Sequence, residues 1–234
     1  MLCGHVESAF SGCHHHHWCI SSFILSSGFI DVLQVLDFPL APEGVTPIQG
    51  LCNRRSGVDH QDVAYRISKE AQLSVPTKFL FPDSAFPADF SLLTTLRPEI
   101  GTQAFLLSLY SENGVQQLGL EVGRSPIFIY EDHVTVSQSQ HYPMLTGVNL
   151  ADGKWHRMAI SVHDNNITVF VDCIRVLSQT LHRSDNPYID LNGIVVFGAR
   201  ILDDEVFEVS RHIILYYFLF LYVLLFVQFL NILK

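Results

Sequence analysis

The chain has few basic residues and no long run of them. Fourteen Lys and Arg stand against 23 Asp and Glu, which gives a formal net charge of −9. A binding site for nucleic acid or for an anionic membrane surface needs concentrated positive charge. The composition therefore excludes nucleic acid as a partner and leaves only a local basic cluster as a possible site for anions. Glycine is scarce as well, with 14 residues and no Gly-X-Y period, so the chain contains no triple helix.

Motifs of catalysis and nucleotide binding are also missing. The sequence has no G-x-S-x-G elbow, no P-loop and no Rossmann fingerprint, and its histidines are scattered. The acidic cluster Asp203-Asp204-Glu205 with Glu208 raises the alternative of a jelly-roll glycoside hydrolase. Neighbouring residues on a strand face opposite sides, however, so Asp204 and Glu205 do not form a catalytic pair. We expect no enzyme, no cofactor and no metal site.

Alternating hydrophobicity organises the middle of the chain. Two such runs, Trp155–Val162 and Ile167–Cys173, are joined by His163-Asp164-Asn165-Asn166. Asp and Asn tolerate the left-handed backbone that tight turns need, so this segment predicts a β-hairpin. Asp152-Gly153 predicts a turn before the hairpin, and the large indole of Trp155 is expected to be buried.

Other short apolar runs alternate with turn residues and predict further strands. They lie at 32–38, 63–67, 71–75, 90–96, 104–110, 115–122, 127–130, 176–181 and 194–199. Residues 43–62 are expected to form a loop. Many short strands without a convincing amphipathic helix predict an all-β fold, an antiparallel two-sheet β-sandwich of the jelly-roll type.

The turn and first strand of this hairpin carry a resemblance. Asp152-Gly153-Lys154-Trp155-His156-Arg157 followed by an apolar strand resembles the signature of laminin-G-like and thrombospondin N-terminal-like domains. Further segments resemble the amino-terminal non-collagenous domain of fibrillar collagen α chains, type V/XI group. They lie at 64–66, 72–74, 76–78, 86–91, 119–126, 130–133 and 200–205. The resemblance covers residues 31–208 and implies a laminin-G/concanavalin-like sandwich.

The resemblance implies a non-enzymatic module of the extracellular matrix. In the resembled family this domain stands at the start of a fibrillar collagen chain, limits fibril diameter and contacts other collagen chains and matrix molecules. The implied localisation is secreted, in the matrix. The cysteines that match Cys52 and Cys173 pair, in that family, with downstream cysteines that this chain lacks. The two therefore pair with each other or stay unpaired, and the second outcome is favoured.

Binding of heparin or heparan sulfate is the alternative function. Clustered Arg and Lys bind sulfate groups best. The resembled domains carry a lysine run after the cysteine that matches Cys173, whereas this chain has Arg175 alone there. The candidate glycosaminoglycan contacts are Arg54, Arg55, Lys154, Arg157 and Arg175. In the predicted hairpin turn, Asn166-Ile167-Thr168 is an N-glycosylation sequon, so Asn166 is a candidate modification site.

Both ends of the chain differ in composition from the domain expected at 31–208. The amino-terminal segment 1–30 is either signal-like or aberrant: residues 20–30 have the length of a signal-peptide apolar region, but no Lys or Arg precedes them. Its Cys13-His14-His15-His16-His17-Trp18-Cys19 run lacks the spacing of a zinc site.

The carboxy-terminal segment 209–234 is a hydrophobic tail. Ile213 to Leu230 are 18 residues, and a helix of that length spans ~27 Å, close to the hydrocarbon core of a bilayer. We expect a helix separate from the sandwich, which would attach the chain to a membrane through residues 213–230 if the tail is genuine. The other interpretation is translated intron sequence, because Val209-Ser210 is what an in-frame splice donor encodes.

Overall fold

The computed structural model describes residues 29–50, 63–68, 70–81, 85–134, 142–198 and 213–222, with the backbone alone at 29 and 213–222. These residues form two antiparallel sheets. Sheet A contains β1 (Phe29–Asp31), β2 (Val45–Gln49), β3 (Val63–Ile67), β5 (Phe90–Pro98), β9 (His156–His163), β10 (Asn166–Val171), β11 (Ile174–Thr180) and β13 (Ile213–Tyr222). Sheet B contains β4 (Leu73–Pro76), β6 (Ala104–Tyr110), β7 (Gln116–Val122), β8 (Ile127–Tyr130) and β12 (Ile194–Phe197).

The order of strands in sheet A is β11-β10-β9-β5-β13-β3-β2, with β1 also paired to β13. In sheet B the order is β4-β12-β6-β7-β8. Sequence neighbours such as β9 and β10 pair directly, whereas β5 and β9 pair across a long stretch of chain. The predicted antiparallel two-sheet sandwich is confirmed.

The core lies between the inner faces of the two sheets. Phe90 of sheet A is fully buried, and its ring centroid lies 6.1 Å from Tyr130 and 6.5 Å from Phe128 of sheet B. Ile167 and Val169, on the hairpin, are also fully buried. Burying large aromatic and aliphatic side chains of this kind contributes about 1.5–3 kcal/mol each to the stability of the fold. The period-two pattern in the sequence places these side chains on the inner faces of the sheets.

The hairpin at the centre of the sequence forms as predicted. β9 and β10 are joined by Asp164-Asn165, and Asp164 takes the left-handed backbone conformation with φ 46°. The register pairs Asn166 with His163 and Phe170 with Ala159.

The segment predicted as a first edge strand, 32–38, is instead mostly helical. A short helix, α1 (Val32–Val35), begins because the Asp31 carboxylate accepts hydrogen bonds from Leu33 N at 3.0 Å and Gln34 N at 3.2 Å. A 3₁₀ turn, Phe38–Leu40, follows. The helix directs Val32 and Leu33 into the core, which a strand of alternating direction would not do.

The predicted loop at 43–62 contains a strand in its described part. β2 pairs with β3 at the edge of sheet A and includes Pro47. Proline removes a ladder donor, and an edge strand tolerates this because one side of it has no neighbour. The proline and the polar residues around it explain why the sequence pattern there predicted a loop.

The predicted carboxy-terminal helix is wrong over the residues that the structure describes. Ile213–Tyr222 form β13, which lies between β5 and β3 in sheet A. The two flanking strands present backbone N–H and C=O groups, and a strand between them satisfies both rows. Hydropathy alone does not distinguish this arrangement from a helix, and residues 223–234 lie outside the described part. No helix among the described residues has the length and apolar character needed to cross a membrane.

Candidate ligand-binding face

The alternation along β9 decides which residues face outward. Met158, Ile160 and Val162 belong to the core, so residues of odd number on this strand point away from sheet B. His156 shares the core parity and is buried, whereas Trp155 is only partly buried. The expectation of a buried Trp155 is therefore wrong. The neighbouring histidine takes the inward position because the parity of the strand fixes it.

Arginines from four strands lie on this outer face of sheet A. Arg66 on β3 and Arg97 on β5 are both paired with Ile214 of β13, so they share one row across the sheet. Arg157 on β9 is opposite Thr95, two residues from Arg97. Arg175 on β11 is opposite Phe170 on β10, which is opposite Ala159 on β9.

A fifth cation stands at the end of this face. Lys154 lies in the turn before β9, and its side chain is 78% exposed. Gly153, beside it, has φ +80°, a left-handed conformation that favours glycine, and the predicted Asp-Gly turn is confirmed there. We call Arg66, Arg97, Lys154, Arg157 and Arg175 the cationic stripe.

An aromatic ring interrupts the stripe. The guanidinium carbon of Arg97 lies 5.1 Å from the centroid of the Trp155 ring. Such a cation–π contact contributes about 0.5–1 kcal/mol at an exposed site. Both side chains are partly exposed on the outer face. Arg97 and Arg66 were not among the sequence candidates, because the pairings that place them in one row join distant parts of the chain.

Two carboxylates and a histidine form a hydrogen-bonded group next to Lys154 and Arg157 of the stripe. Nδ1 of His156 lies 2.8 Å from Asp172 Oδ2, and Nε2 lies 2.9 Å from Asp152 Oδ1. Asp152 also accepts a hydrogen bond from Lys154 N at 2.9 Å, and Asp172 accepts one from Arg157 N at 2.9 Å. We call Asp152, His156 and Asp172 the histidine clamp, because it ties the turn before β9 to the turn between β10 and β11.

The clamp shifts the titration of its members. Burial alone would lower the pKa of His156, but the hydrogen bonds to Asp172 and Asp152 outweigh it and raise that pKa. The hydrogen bond from His156, helped by the Lys154 backbone N–H, lowers the pKa of Asp152 to about 2. Both shifts favour the charged forms, an imidazolium between carboxylates.

A second polar cluster closes the other end of the hairpin. Asp89, His163 and Asp164 place their ligand-type atoms within 4.8 Å of one another. Both oxygens of Asp89 are already engaged: Oδ2 lies 2.6 Å from His163 Nδ1, and Oδ1 accepts hydrogen bonds from Asp164 N and from Arg183 Nη2. A cation there would compete with the Arg183 guanidinium, so the arrangement fits a structural junction.

The remaining sequence candidates divide into described and undescribed residues. Arg54, Arg55, Cys52 and the acidic cluster at 203–208 lie outside the described residues, so their roles stay predictions. Cys173 follows Asp172 in the tight turn between β10 and β11, with φ 66°. The Cys173 sulfur is disulfide-bonded, so the favoured expectation that it stays unpaired is wrong. The identity of its partner as Cys52 stays a prediction. Asn166 is exposed at the start of β10, as a modification site requires.

Comparison with known families decides the class of this fold. The sequence profile of the laminin G domain matches residues 96–212, half of the chain. The chain belongs to the laminin G domain family. Laminin G domains are generally extracellular binding modules for carbohydrates or proteins, and not enzymes.

One similar solved structure supports the fold assignment, and a second is similar over a smaller part of the chain. The binding domain of the paraclostridial mosquitocidal protein 1 is similar with a TM-score of 0.52 and 13% identity, covering 77% of this chain and 42% of that one. Domains LG4-5 of the mouse laminin α1 chain are similar with a TM-score of 0.44 and 14% identity, covering 63% of this chain and 38% of that one. This laminin G domain thus spans about two fifths of the length of those two structures.

Proposed function

We propose that this laminin G domain is an extracellular binding module that holds sulfated glycosaminoglycan chains along its cationic stripe. The supporting observation is the register of sheet A, which brings arginines from four strands onto one face of a chain whose formal net charge is −9. Lys154 lies beside them in the turn before β9. Three of the five, Lys154, Arg157 and Arg175, were candidates on sequence grounds.

The length of the stripe favours a polymer over a small anion. β3 and β11, which carry Arg66 and Arg175, are five strand spacings apart in sheet A. At about 4.8 Å per spacing, the stripe extends about 24 Å across the strands. A single sulfate or phosphate would contact only one end of it.

The composition of the stripe favours sulfate esters on sugars. Guanidinium groups make paired hydrogen bonds to oxyanions, and four of the five cations are arginines. The exposed side of the Trp155 indole offers an apolar surface against which a sugar ring packs. The carboxylates of Asp152 and Asp172 are occupied by His156, so they compete less for the arginines than free carboxylates would.

Heparin binding of the purified domain tests this proposal. We expect retention on a heparin column at physiological salt, and weaker binding as salt rises because screening shortens the range of the attraction. The double variant Arg157→Gln/Arg175→Gln should bind at least about tenfold more weakly, since a hydrogen bond to a charged group contributes about 1.5–3 kcal/mol.

The matched control removes two cations from the other sheet. Lys78 lies in the 3₁₀ turn after β4 and Arg124 in the loop between β7 and β8, and both are exposed. Lys78→Gln/Arg124→Gln carries the same change of net charge and should elute like the unmodified domain. Elution of the unmodified protein in the flow-through, or equal losses in both double variants, would contradict a site on the stripe.

A second candidate function concerns the chain to which the domain belongs. We infer a module at the start of a fibrillar collagen chain, with other collagen chains and matrix molecules as partners. The support is the set of separate matches across residues 31–208 to the amino-terminal domain of the type V/XI group. Sequencing the transcript downstream tests it: Gly-X-Y repeats in frame are expected, and another domain type in their place would overturn it.

A further inference from the structure

The histidine clamp has a geometry that only one protonation state satisfies. Each ring nitrogen of His156 faces a carboxylate oxygen, at 2.8 Å from Asp172 and at 2.9 Å from Asp152. A neutral imidazole carries one N–H and one lone pair, so it can donate to only one of the two acceptors. The imidazolium donates to both, and the ring, with 11% of its side chain exposed, has little water to replace a lost partner.

The clamp holds the segments that carry the stripe. Asp172 takes a left-handed backbone conformation, its N–H donates to the Arg157 carbonyl at 2.9 Å, and its Oδ1 accepts from Arg157 N. Asp152 holds Lys154 through the backbone and through an ion pair of 3.2 Å. Arg175 lies in β11, three residues after Asp172 of the turn between β10 and β11. Two of the five cations, Lys154 and Arg157, are therefore positioned by groups that bind His156.

The charged groups around the His156 ring determine how loss of its proton changes the local charge. Asp152 and Lys154 approach from the turn before β9, Asp172 from the turn between β10 and β11, and Arg157 from β9 itself. At the adjacent end of β5, the residue opposite His156 is Leu96, and Arg97 and Glu99 are the nearest charged residues in sequence. Loss of the ring proton removes one positive charge and leaves two carboxylates facing a neutral ring.

We propose that the protonation of His156 regulates polyanion binding at the cationic stripe, an inference that rests on the proposed function. With the imidazolium in place, one of the two carboxylate charges is balanced and both turns are fixed. Without the proton, Asp152 and Asp172 each keep a full negative charge beside the stripe, which repels a sulfated chain. Binding is tight while the ring is protonated and weakens as the pH rises through the pKa of the folded-state histidine.

The test measures heparin-oligosaccharide binding by calorimetry between pH 6 and pH 9 at constant ionic strength, together with the ring titration of His156 followed by NMR. In the unmodified domain we expect the affinity for the oligosaccharide to fall about two- to tenfold as the ring loses its proton. This is the order of magnitude for the loss of one charge near a solvent-exposed binding site. The variant His156→Gln, which keeps one donor but does not titrate, should show no such fall.

His163→Gln is the matched control. His163 is also a ring paired with an aspartate, but it lies at the opposite end of the hairpin and its side chain is 44% exposed. This variant should keep the pH dependence of the unmodified domain. Urea unfolding of all three proteins at each pH confirms that binding is measured on folded protein.

Each outcome separates the two proposals. Binding whose strength stays constant while the NMR signal of His156 titrates would overturn the regulation and leave the proposed function standing. A fall that persists in His156→Gln, or disappears in His163→Gln, would also overturn it. Absence of heparin binding at every pH would overturn the proposed function itself, and the regulation with it.

Discussion

The guanidinium of Arg183 lies 3.0 Å from Asp89 Oδ1, although 94 positions separate the two residues. The Arg183 side chain is 3% exposed, and it also donates to the carbonyl of Ala88. Asp89 in turn accepts hydrogen bonds from the Asp164 backbone and pairs with the His163 ring. One arginine thus joins the segment after β11 to the start of β5 and to the turn of the central hairpin.

Loss of Arg183 should destabilise the domain strongly. Arg183→Met leaves Asp89 without its main cation, and breaking a buried ion pair from one side costs about 3–5 kcal/mol. Because Asp89 retains 19% exposure, we expect about 2–4 kcal/mol, measured by urea unfolding.

Two further variants check the cause of that loss. Arg175→Met, on an exposed arginine of β11, should change stability by no more than about 0.5 kcal/mol. Adding Asp89→Asn to Arg183→Met should recover part of the loss, since the uncompensated charge is then removed. Equal stability of Arg183→Met and the unmodified domain would show that the junction contributes little.

Two isoleucines on adjacent strands allow a matched test of the core. Ile167 on β10 is fully buried, and Ile174 on β11 is 67% exposed. Ile167→Ala should cost about 2–5 kcal/mol, through lost burial and the cavity that remains. Ile174→Ala should stay within about 0.5 kcal/mol. Similar losses at both positions in urea unfolding would mean that the burial of these two side chains is assigned wrongly.

Stability should fall in acid because of lowered carboxyl pKa values. The pKa of Asp152 is lowered to about 2 from 3.8. Burial would raise the pKa of Asp89, but hydrogen bonds from Arg183 and His163 outweigh it and lower that pKa. A lowered folded-state pKa contributes stability that is present above the unfolded value, near 3.8 for these aspartates, and that is lost as the pH falls towards the folded value.

Urea unfolding between pH 2 and pH 6 measures this dependence. The variant Asp152→Asn should show a shallower fall than the unmodified domain, since it has one fewer titrating group. The variant Asn165→Gln, which changes an exposed residue without removing a carboxylate, serves as the control for the effect of mutating this region. A slope unchanged by Asp152→Asn would contradict the role of the histidine clamp in stability.

Asn166 should carry an N-linked glycan when the domain is made in a secretory eukaryotic host. The residue is exposed beside the two-residue turn of the hairpin, and Thr168 completes the sequon. Mass spectrometry before and after glycosidase treatment is expected to show a glycan that Asn166→Gln and Thr168→Ala both abolish, while Asn165→Gln leaves it in place. An unmodified asparagine in the secreted protein would refute the assignment.

Local sequence patterns predicted much of the fold. The strands 63–67, 104–110 and 127–130 form at the predicted bounds, because period-two burial and flanking turn residues are properties of neighbouring positions. The same local pattern was misleading at 32–38, where the cap by Asp31 favours a helix, and in the apolar run at 213–222, whose pairing partners lie far away in sequence.

In the candidate site, too, some residues could be chosen from the sequence and others only from the pairing of strands. Sequence reasoning singled out Trp155 and His156 but assigned the buried position to the tryptophan, since size suggested burial and only strand parity excludes it. Lys154, Arg157 and Arg175 were chosen as basic residues. Arg66 and Arg97 join them through pairings with β13 that no local pattern contains.

The sequence by itself determined a two-sheet β-sandwich with a central hairpin and a turn at Asp152-Gly153, because alternation and turn chemistry act over a few residues. Only the tertiary structure decided the order of the strands, the contact of Arg183 with Asp89, and the alignment of five cations above the histidine clamp. Those features join positions up to 109 residues apart, from Arg66 to Arg175, and such distances are set by sheet register and packing.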